Sequence, residues 1–277
     1  MEVCNVNKLK MEEVMERYSG TISKGDEEGK PWEGTKELVL VDRIQETDDI
    51  VSFYFKSKDG SKLIKHKAGQ FLPFTIKTDD SKYRSVTRTY SLSMKPNEDI
   101  YRISVKRVPN GLISNYLHDN LKIGDSIEAM MPCGIFTLEK YKKDKPVVLI
   151  SAGIGITPLL SMFYDSVNKL DNITFIQAVQ NSKMQPFAND IKELSKMSGN
   201  KSYVFFSDPK DDEKLGIDYD FTGFVNKDWI KDNLDLNSQF YFCGPPPFMK
   251  ALNSALLELN VNEEDIHYEF FGEQQKL

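Results

Sequence analysis

Residues 88–91 read Arg-Thr-Tyr-Ser and bring a guanidinium, a phenol and two hydroxyls onto one predicted strand. Because side chains alternate along a strand, Arg88 and Tyr90 share a face and Ser91 points away. A guanidinium can bind a phosphate through two parallel hydrogen bonds, and a tyrosine ring can lie flat against a conjugated ring. The pattern indicates a site for a flat, phosphorylated ligand. A surface arginine beside a core tyrosine is the plainer alternative.

A glycine-rich turn, GIGITP at residues 153–158, follows the apolar strand VVLISA and opens a predicted helix. Gly153 and Gly155 permit a tight turn and a close approach of the backbone to a ligand. Pro158 suits the first helical turn, and Thr157 is expected to be the N-cap. The free N–H groups and positive dipole of a helix N-terminus favour a pyrophosphate. A tight turn with no ligand is the alternative.

A third candidate is CGPPPFM at residues 243–249, which follows the predicted strand QFYF. The sequence stands at the carboxyl end of a parallel strand, where open α/β sheets bind ligands. Cys243 and Gly244 are small enough to leave room for a flat ring, and Pro245 begins a stiff turn. For Cys243 taken alone, a buried structural thiol is the simpler explanation.

The last predicted strand ends in HYEFFG at residues 267–272. Alternation places Glu269 and Phe271 on one face of this strand and Phe270 on the other. We therefore expect Phe270 in the core and Phe271 at the site. The alternative is that both phenylalanines belong to the core.

The predicted helix LISNYLHDN indicates a second phosphate site. Gly111 directly precedes this helix and Ser114 lies in its first turn, so the backbone can again come close to a phosphate at a helix N-terminus. Two phosphate sites, one per predicted domain, fit two dinucleotides better than one. Basic residues also gather nearby, and they indicate either local phosphate binding or ordinary solvated charges: Lys82, Arg84, Arg88, Arg102, Lys106 and Arg107.

Composition narrows the possible classes of protein. A chain of 277 residues that is 40% hydrophobic can build two domains, each with its own core. The net charge of -6 argues against a broad nucleic-acid surface. The three cysteines form no CxxC pair, so no thiolate metal site or iron–sulfur cluster is expected. With no signal peptide and no apolar run of roughly 20 residues, we expect a cytoplasmic protein without a membrane span.

The order of predicted elements gives the fold class. Short runs of β-branched and aromatic residues with one helix, ending in the strand GIFTL, predict a small antiparallel barrel over residues 36–142. Strands and helices then alternate, which predicts a doubly wound parallel sheet over residues 143–277. The charged linker LEKYKKDKP separates the two domains. Residues 1–35 indicate either one short amphipathic helix with a linker, or a disordered tail.

Together, the four sequence elements resemble the ferredoxin–NADP⁺ reductase superfamily over residues 36–272. The similarity is closest to the reductase module of flavohaemoglobins and to oxygenase-type reductases. It implies that FAD is held by Arg88, Thr89, Tyr90, Ser91, Gly111, Leu112, Ile113, Ser114 and Phe271. Val105 and Lys106 are further expected cofactor-binding residues. It implies that NADH or NADPH is held by Gly153, Gly155, Thr157, Pro158, Cys243, Gly244 and Pro245. It assigns catalytic roles to Ser91, Cys243, Glu269 and Phe271.

The implied activity is an FAD-dependent NAD(P)H oxidoreductase in which hydride passes to bound FAD. Residues 1–35 are too few for a globin or a ferredoxin domain, so the acceptor is expected to be a separate haem, iron–sulfur or other protein. Two alternatives remain: a reductase of free flavin or ferric iron, and an electron-transfer subunit active only in a complex. The segment AVQNSKMQPFAND, with Lys183 as its one cation, favours NADH over NADPH.

Overall fold

In a computed structural model of the chain, the described residues are 28–138, 141–197 and 199–272. They form two six-stranded sheets, the first antiparallel and the second parallel, so the predicted two-domain fold class is confirmed. The predicted N-terminal helix lies outside the described residues, and the division of the chain at residue 142 stays a prediction. No helix in the described ranges is long and apolar enough to cross a bilayer.

The first sheet is the predicted barrel. Its strands are β1 (Lys36–Thr47), β2 (Ile50–Ser57), β3 (Phe71–Ile76), β4 (Arg88–Ser91), β5 (Tyr101–Lys106) and β6 (Ser126–Ala129). The connections include helices α1 (Ser81–Arg84) and α2 (Leu112–Asp119). The strand order is β4-β3-β6-β1-β2-β5. An antiparallel bridge from Leu92, just after β4, to Ile103 on β5 closes the barrel.

Alternation of side chains builds the barrel core and leaves a second face for the other domain. In β5, Ile103 and Val105 are buried in the core beside Phe53 of β2. The intervening side chains of these two strands point outward. Some of them, such as Arg102 and Ser104, are nevertheless buried. β2 and β5 are therefore covered on both faces.

The second sheet contains β7 (Val147–Ala152), β8 (Ile173–Val179), β9 (Lys201–Phe206), β10 (Phe221–Thr222), β11 (Gln239–Cys243) and β12 (Ile266–Glu269). The helices between them are α3 (Ile156–Ser166), α4 (Ala188–Ser195), α5 (Lys227–Asn233) and α6 (Pro246–Glu258). The strand order is β10-β9-β8-β7-β11-β12. The direction of winding reverses between β7 and β11, and such a switch point is where open α/β sheets bind ligands.

Helices cover both faces of this sheet, which explains the continuous apolar strands. Every residue of β7 and of β11 is buried. Alternate residues enter different cores: Leu149 and Tyr241 pack with α3, whereas Val148 and Phe240 pack with α6. The strands at the switch point are therefore held rigidly from both sides.

The predicted strand GIFTL at residues 134–138 is wrong. Gly134 has a φ of +120°, which turns the chain away from the sheet. Ile135 is then 99% exposed, while Phe136 is buried in the core that α3 forms with the second sheet. These apolar residues belong to a connection between the domains, which alternation alone cannot distinguish from a strand.

Candidate functional site

The loop after β7 lies directly against the loop after β11. A Cβ on Gly155 would lie 2.2 Å from the carbonyl oxygen of Cys243 and 2.6 Å from the amide nitrogen of Gly244. A Cβ on Gly244 would lie 2.8 Å from the Cβ of Ala152. Only glycine fits at these contacts, because the atoms opposite are backbone or a rigid methyl group. The structure thus joins two of the predicted segments into one site at the switch point.

A cavity of about 430 Å³ opens beside these two loops. Ala152, Gly153 and Pro245 line it from the second domain, and Ile50 and Lys106 line it from the barrel. Gly153 has a φ of +53° and no described atom within 4 Å of its Cβ position. Helix α3 starts nearby without a side-chain cap, so its first N–H groups can bind a ligand. The cavity therefore fits the pyrophosphate and ring of a dinucleotide.

Thr157 is not the N-cap that the sequence predicts. A 3-10 turn brings the chain into the helix early, and Gly155 occupies the N-cap position. The Thr157 hydroxyl donates to the carbonyl oxygen of Ile154 at 3.1 Å, and its side chain is buried. Thr157 therefore braces the glycine turn, while Pro158 lies in the first helical turn as predicted.

Lys106 reaches the cavity from the barrel, across the boundary between the sheets. Its ammonium nitrogen lies 3.2 Å from Oδ2 of Asp49. Lys106 is the one cation among the described residues that line the cavity. The sequence analysis expects Lys106 to bind a cofactor, and its side chain lines the cavity beside the glycine loop of the second domain. There the ammonium can offset the negative charge of a bound nicotinamide dinucleotide.

Gln180 and Met184 also line the cavity after β8, and both belong to the segment AVQNSKMQPFAND that the sequence reasoning singled out for the nucleotide. Gly223 and Phe224 were missed: they follow β10, and 75% of the Phe224 surface is exposed. Gly223 turns the chain toward the cavity with a φ of +99°. A glycine directly after a two-residue strand was the available signal, but β10 is too short for an apolar pattern to reveal it.

The first residues predicted to bind FAD lie on strand β4 of the barrel. Arg88 and Thr89 are exposed, and Arg88 donates to the carbonyl oxygen of Thr87 at 2.8 Å. The Tyr90 ring is half-buried and stacks on Phe74, with 5.7 Å between centroids and 26° between planes. Burial raises the pKa of Tyr90 to about 12, so the phenol stays neutral. The guanidinium keeps further donors for a phosphate.

Helix α2 begins with a second glycine-led turn, and its residue Leu112 packs against the same barrel core as Tyr90. A Cβ on Gly111 would lie 2.4 Å from Oγ of Ser114, and that hydroxyl accepts from the backbone N–H of Val108 at 3.3 Å. The helix has no side-chain cap among the described residues. Its first N–H groups can therefore bind a phosphate.

Four remaining predicted residues can meet a cofactor mainly through their backbone. Val105 and Ile113 are buried in the barrel core, and Leu112 packs against it. Ser91 is 5% exposed at the end of β4, where it pairs with Phe71. The N–H groups of Leu112 and Ile113 lie in the first turn of α2, where they have no intrahelical acceptor.

Pairing of β11 with β12 sets Glu269 beside Cys243. Burial raises the pKa of Glu269 to about 7, and its Oε2 has no hydrogen-bond partner among the described residues. Cys243 is fully buried, and burial, followed by the charge of Glu269, raises the pKa of its thiol well above its usual value. Glu269 is therefore a carboxyl that can exchange a proton near neutral pH, while Cys243 stays a neutral thiol.

Arg88→Ala should weaken FAD binding by about 1.5–3 kcal/mol, because a charge-assisted phosphate bond is lost. Titration of the cofactor-free protein with FAD measures this affinity. Lys95→Ala removes an exposed cation shortly after β4 and should leave the affinity unchanged. Equal FAD affinity in the Arg88 variant and the wild type would contradict the assignment.

Comparisons with known proteins match both halves of the chain. The oxidoreductase FAD-binding domain family matches residues 37–138, and the oxidoreductase NAD-binding domain family matches residues 149–254. A flavohemoprotein from Rhodopirellula baltica is 39% identical over 257 residues, covering 89% of this chain and 62% of that protein. A flavohemoprotein from Bacillus subtilis is 37% identical over 255 residues, covering 91% of this chain and 63% of that protein.

A solved structure gives the same result for the whole fold. The FAD/NAD-binding domain of nitric oxide dioxygenase from Vibrio cholerae O1 biovar El Tor has a TM-score of 0.77 and 32% sequence identity to this chain. The match covers 87% of this chain and 100% of that one. The chain therefore belongs to the ferredoxin–NADP⁺ reductase family.

Its class follows from these matches: it is an NAD(P)H-dependent flavoprotein oxidoreductase with FAD and a nicotinamide dinucleotide as cofactors. As an electron-transfer reductase module, it corresponds to one part of larger proteins. It spans less than two thirds of the length of the flavohemoproteins reported above. The acceptor of its electrons is therefore a separate question.

Proposed function

We propose that this chain takes hydride from NADH onto bound FAD and delivers the electrons to a haem protein. The observation that carries the proposal is the cavity at the switch point, which both domains line through Lys106 and Gly153. When bound, FAD accepts the hydride from the nicotinamide, leaving NAD⁺, and passes on the two electrons. A site shared by two domains is what such a transfer between two cofactors requires.

The protein's own residues bind and orient the cofactors. Arg88 and the start of α2 bind the FAD phosphates, and Tyr90 lies against its ring. Gly153 and the start of α3 bind the nicotinamide dinucleotide. Glu269, a half-buried carboxyl with one unpartnered oxygen, stabilises charge or moves a proton near the reacting atoms.

The choice of a haem acceptor is supported by the relatives, which are flavohemoproteins by name. Their length beyond the matched part leaves room for a further domain. Anaerobic mixing of the NADH-reduced protein with a ferric globin, and separately with an oxidised plant-type ferredoxin, tests the proposal. Faster oxidation by the globin is expected; faster oxidation by the ferredoxin would favour an iron–sulfur acceptor instead.

The alternative of a free-flavin reductase makes a different prediction for the purified protein. The uncapped start of α2 gives the adenine dinucleotide a phosphate site that a released flavin substrate does not need. We therefore expect FAD to remain bound through gel filtration, and the protein to reduce ferricyanide with NADH alone. Colourless protein that turns over added free flavin would support the alternative.

NADH should be preferred to NADPH by at least about tenfold in kcat/KM. Gln180 and Met184 line the cavity after β8, whereas the nearby cation Lys183 is exposed and does not line it. A 2′-phosphate site usually includes an arginine. Steady-state assays with both nucleotides measure the ratio, and Gln180→Arg should narrow it. A higher kcat/KM for NADPH in the wild type would contradict the prediction.

Phe270 and Phe271 should respond differently to replacement by alanine. Phe270 is half-buried against Tyr268, with 5.8 Å between ring centroids, and its loss should cost about 2 kcal/mol of stability, less than for a fully buried ring. Phe271 is 45% exposed. We expect Phe271→Ala to change the rate of flavin reduction about tenfold without lowering the Tm. Stopped-flow reduction and thermal melts separate the two, and the reverse pattern would contradict the assignment.

A further inference from the structure

A buried arginine joins the barrel to the second domain at a distance from the cofactor cavity. Arg102 lies on β5 and is only 3% exposed. Its sequence context grouped it with the basic residues expected to bind phosphate, but the guanidinium is enclosed by protein. The side chain is therefore engaged in contacts within the protein, and these decide its role.

On one side, Arg102 holds the chain that leaves the flavin strand β4. Its Nε donates to Oγ of Ser93 at 3.0 Å, and its Nη2 donates to the backbone carbonyl oxygen of the same residue. Ser93 comes two residues after Ser91, the last residue of β4. Arg102 thus fixes the backbone directly downstream of the residues proposed to bind FAD.

On the other side, Arg102 holds the loop that leads from the nicotinamide cavity into α4. The guanidinium carbon lies 4.7 Å from the ring centroid of Phe187. Phe187 is 1% exposed and has a left-handed φ of +59°, a conformation that phenylalanine adopts only under constraint. Met184, three residues earlier, lines the cavity. The same side chain therefore contacts a segment of each cofactor site.

A chain of serine hydroxyl groups extends from Ser93, the residue that Arg102 contacts, along the outer face of β5 and β2. Ser93 and Ser104 share a hydrogen bond of 2.7 Å, and Ser104 and Ser52 share one of 2.8 Å. The strands pair Ser52 with Ser104, and Ile50 with Lys106. Arg102, Ser104 and Lys106 are alternate residues of β5 and lie on one face. A single strand face thus runs from the buried guanidinium to the cavity-lining ammonium.

The charge of Arg102 is balanced from both domains. Burial acts to lower its pKa, yet Tyr54 and Tyr164, followed by the carboxylates of Asp190 on α4 and Glu46 of the barrel, raise it above its usual value. The two carboxylates supply the balancing negative charge, one from each domain. The Tyr164 hydroxyl donates to a carboxylate oxygen of Asp190 on α4. A buried cation is costly without such surroundings. The guanidinium is therefore stabilised only while the two domains are docked in this arrangement.

We propose that Arg102 is a positioning residue for hydride transfer, which clamps the segment after β4 to the Phe187 loop and so fixes the flavin site relative to the nicotinamide site. The inference rests on the hydride transfer proposed above. Reacting atoms must approach to about 3–3.5 Å, and a misplacement of about 1 Å costs roughly 100-fold in rate. A loosened clamp would therefore lower the rate of transfer more than the affinity for either cofactor.

The test compares Arg102→Met, which keeps the length and removes the charge, with Arg102→Lys and with Arg43→Met. Arg43 is a matched control, since its guanidinium also donates two hydrogen bonds, here to the backbone carbonyls of His118 and Leu121, and lies 5.4 Å from the ring of Phe53. These contacts are within the barrel. Anaerobic stopped-flow reduction by NADH gives the limiting rate and the Kd separately. Hydrogen exchange of residues 182–190 reports on the loop independently of turnover.

Arg102→Met should retain FAD and bind NADH within about threefold of wild type, while the limiting rate falls at least about tenfold. Hydrogen exchange of residues 182–190 should accelerate. Arg102→Lys, which keeps the charge but loses the planar fork, should give an intermediate rate. Arg43→Met should lower the Tm and keep the limiting rate within about twofold of wild type.

The proposal is overturned if Arg102→Met reduces its flavin within about twofold of the wild-type limiting rate, or if Arg43→Met loses the same fraction. A loss that only tracks FAD content would also overturn it. If Arg102→Met does not fold, Arg102→Lys takes its place, and a limiting rate within about twofold of wild type in that variant overturns the proposal. Wild-type protein that neither nucleotide reduces would refute the proposed function, while unchanged exchange of residues 182–190 in the variants would refute the clamp alone.

Discussion

Gly155→Ala should lower the rate of flavin reduction by NADH more than about 100-fold. The new Cβ would lie 2.2 Å from the carbonyl oxygen of Cys243, and this backbone cannot retreat, because β11 is paired on both sides with β7 and β12. The loop must move instead, which displaces the start of α3 from the cavity. The strain should also cost about 3 kcal/mol of stability.

FAD content should stay at the wild-type level in this variant, since the proposed FAD residues belong to the other sheet. Stopped-flow reduction and denaturant unfolding measure the two effects. Gly153→Asn is the control for stability: no described atom lies within 4 Å of its Cβ position, and asparagine tolerates a positive φ, so the cost should stay near 1 kcal/mol. Wild-type reduction by Gly155→Ala would show that this contact does not shape the site.

Glu269→Gln should slow flavin reduction by about 100-fold and remove the pH dependence of the rate near neutrality. Glu269 is half-buried, its Oε2 is buried without a hydrogen-bond partner among the described residues, and its pKa rises from the ordinary 4.5 to about 7. A neutral amide of the same shape can neither carry the negative charge nor exchange the proton. Limiting rates between pH 5 and pH 9 test this expectation, and a wild-type pH profile in the variant would refute it.

The same substitution should change stability with a defined sign. Because the folded pKa of Glu269 is raised, the folded state binds more protons than the unfolded state between pH 4.5 and about 7. Wild-type stability therefore falls as the pH rises through this window, by about 3 kcal/mol from this group. The Tm of Glu269→Gln relative to wild type should rise across the window and then level off. Glu258→Gln, an exposed position paired with Lys227, should show no such change.

The sequence alone determined the two sheets and their order, because the evidence for them is local. Buried parallel strands read as continuous apolar runs, such as VVLISA, and barrel strands alternate or carry β-branched residues. The glycines at 153 and 155 were recognisable because a tight turn between a strand and a helix requires them. The family resemblance then added the cofactors, which patterning by itself could not name.

Predictions from local sequence patterns were wrong where the backbone conformation or a distant residue determines the local structure. The segment GIFTL has residue types that are typical of a strand, but Gly134 turns the chain out of the sheet. Threonine is a common N-cap residue, but a 3-10 turn places the N-cap at Gly155 and buries the hydroxyl of Thr157. In both cases a local backbone conformation, the positive φ of Gly134 or the 3-10 turn before α3, sets the structure, and residue type alone does not specify it.

Only the tertiary structure decided which residues meet. Gly155 touches Cys243, Lys106 of the barrel reaches the cavity at the switch point, and Arg102 is buried against Phe187. The last two contacts depend on how two separately encoded sheets pack. Such contacts join residues far apart in the chain, so no spacing or periodicity records them. The candidate site residues could therefore be named from the sequence. Their partners, their burial and their pKa values arise from the packing of the two domains.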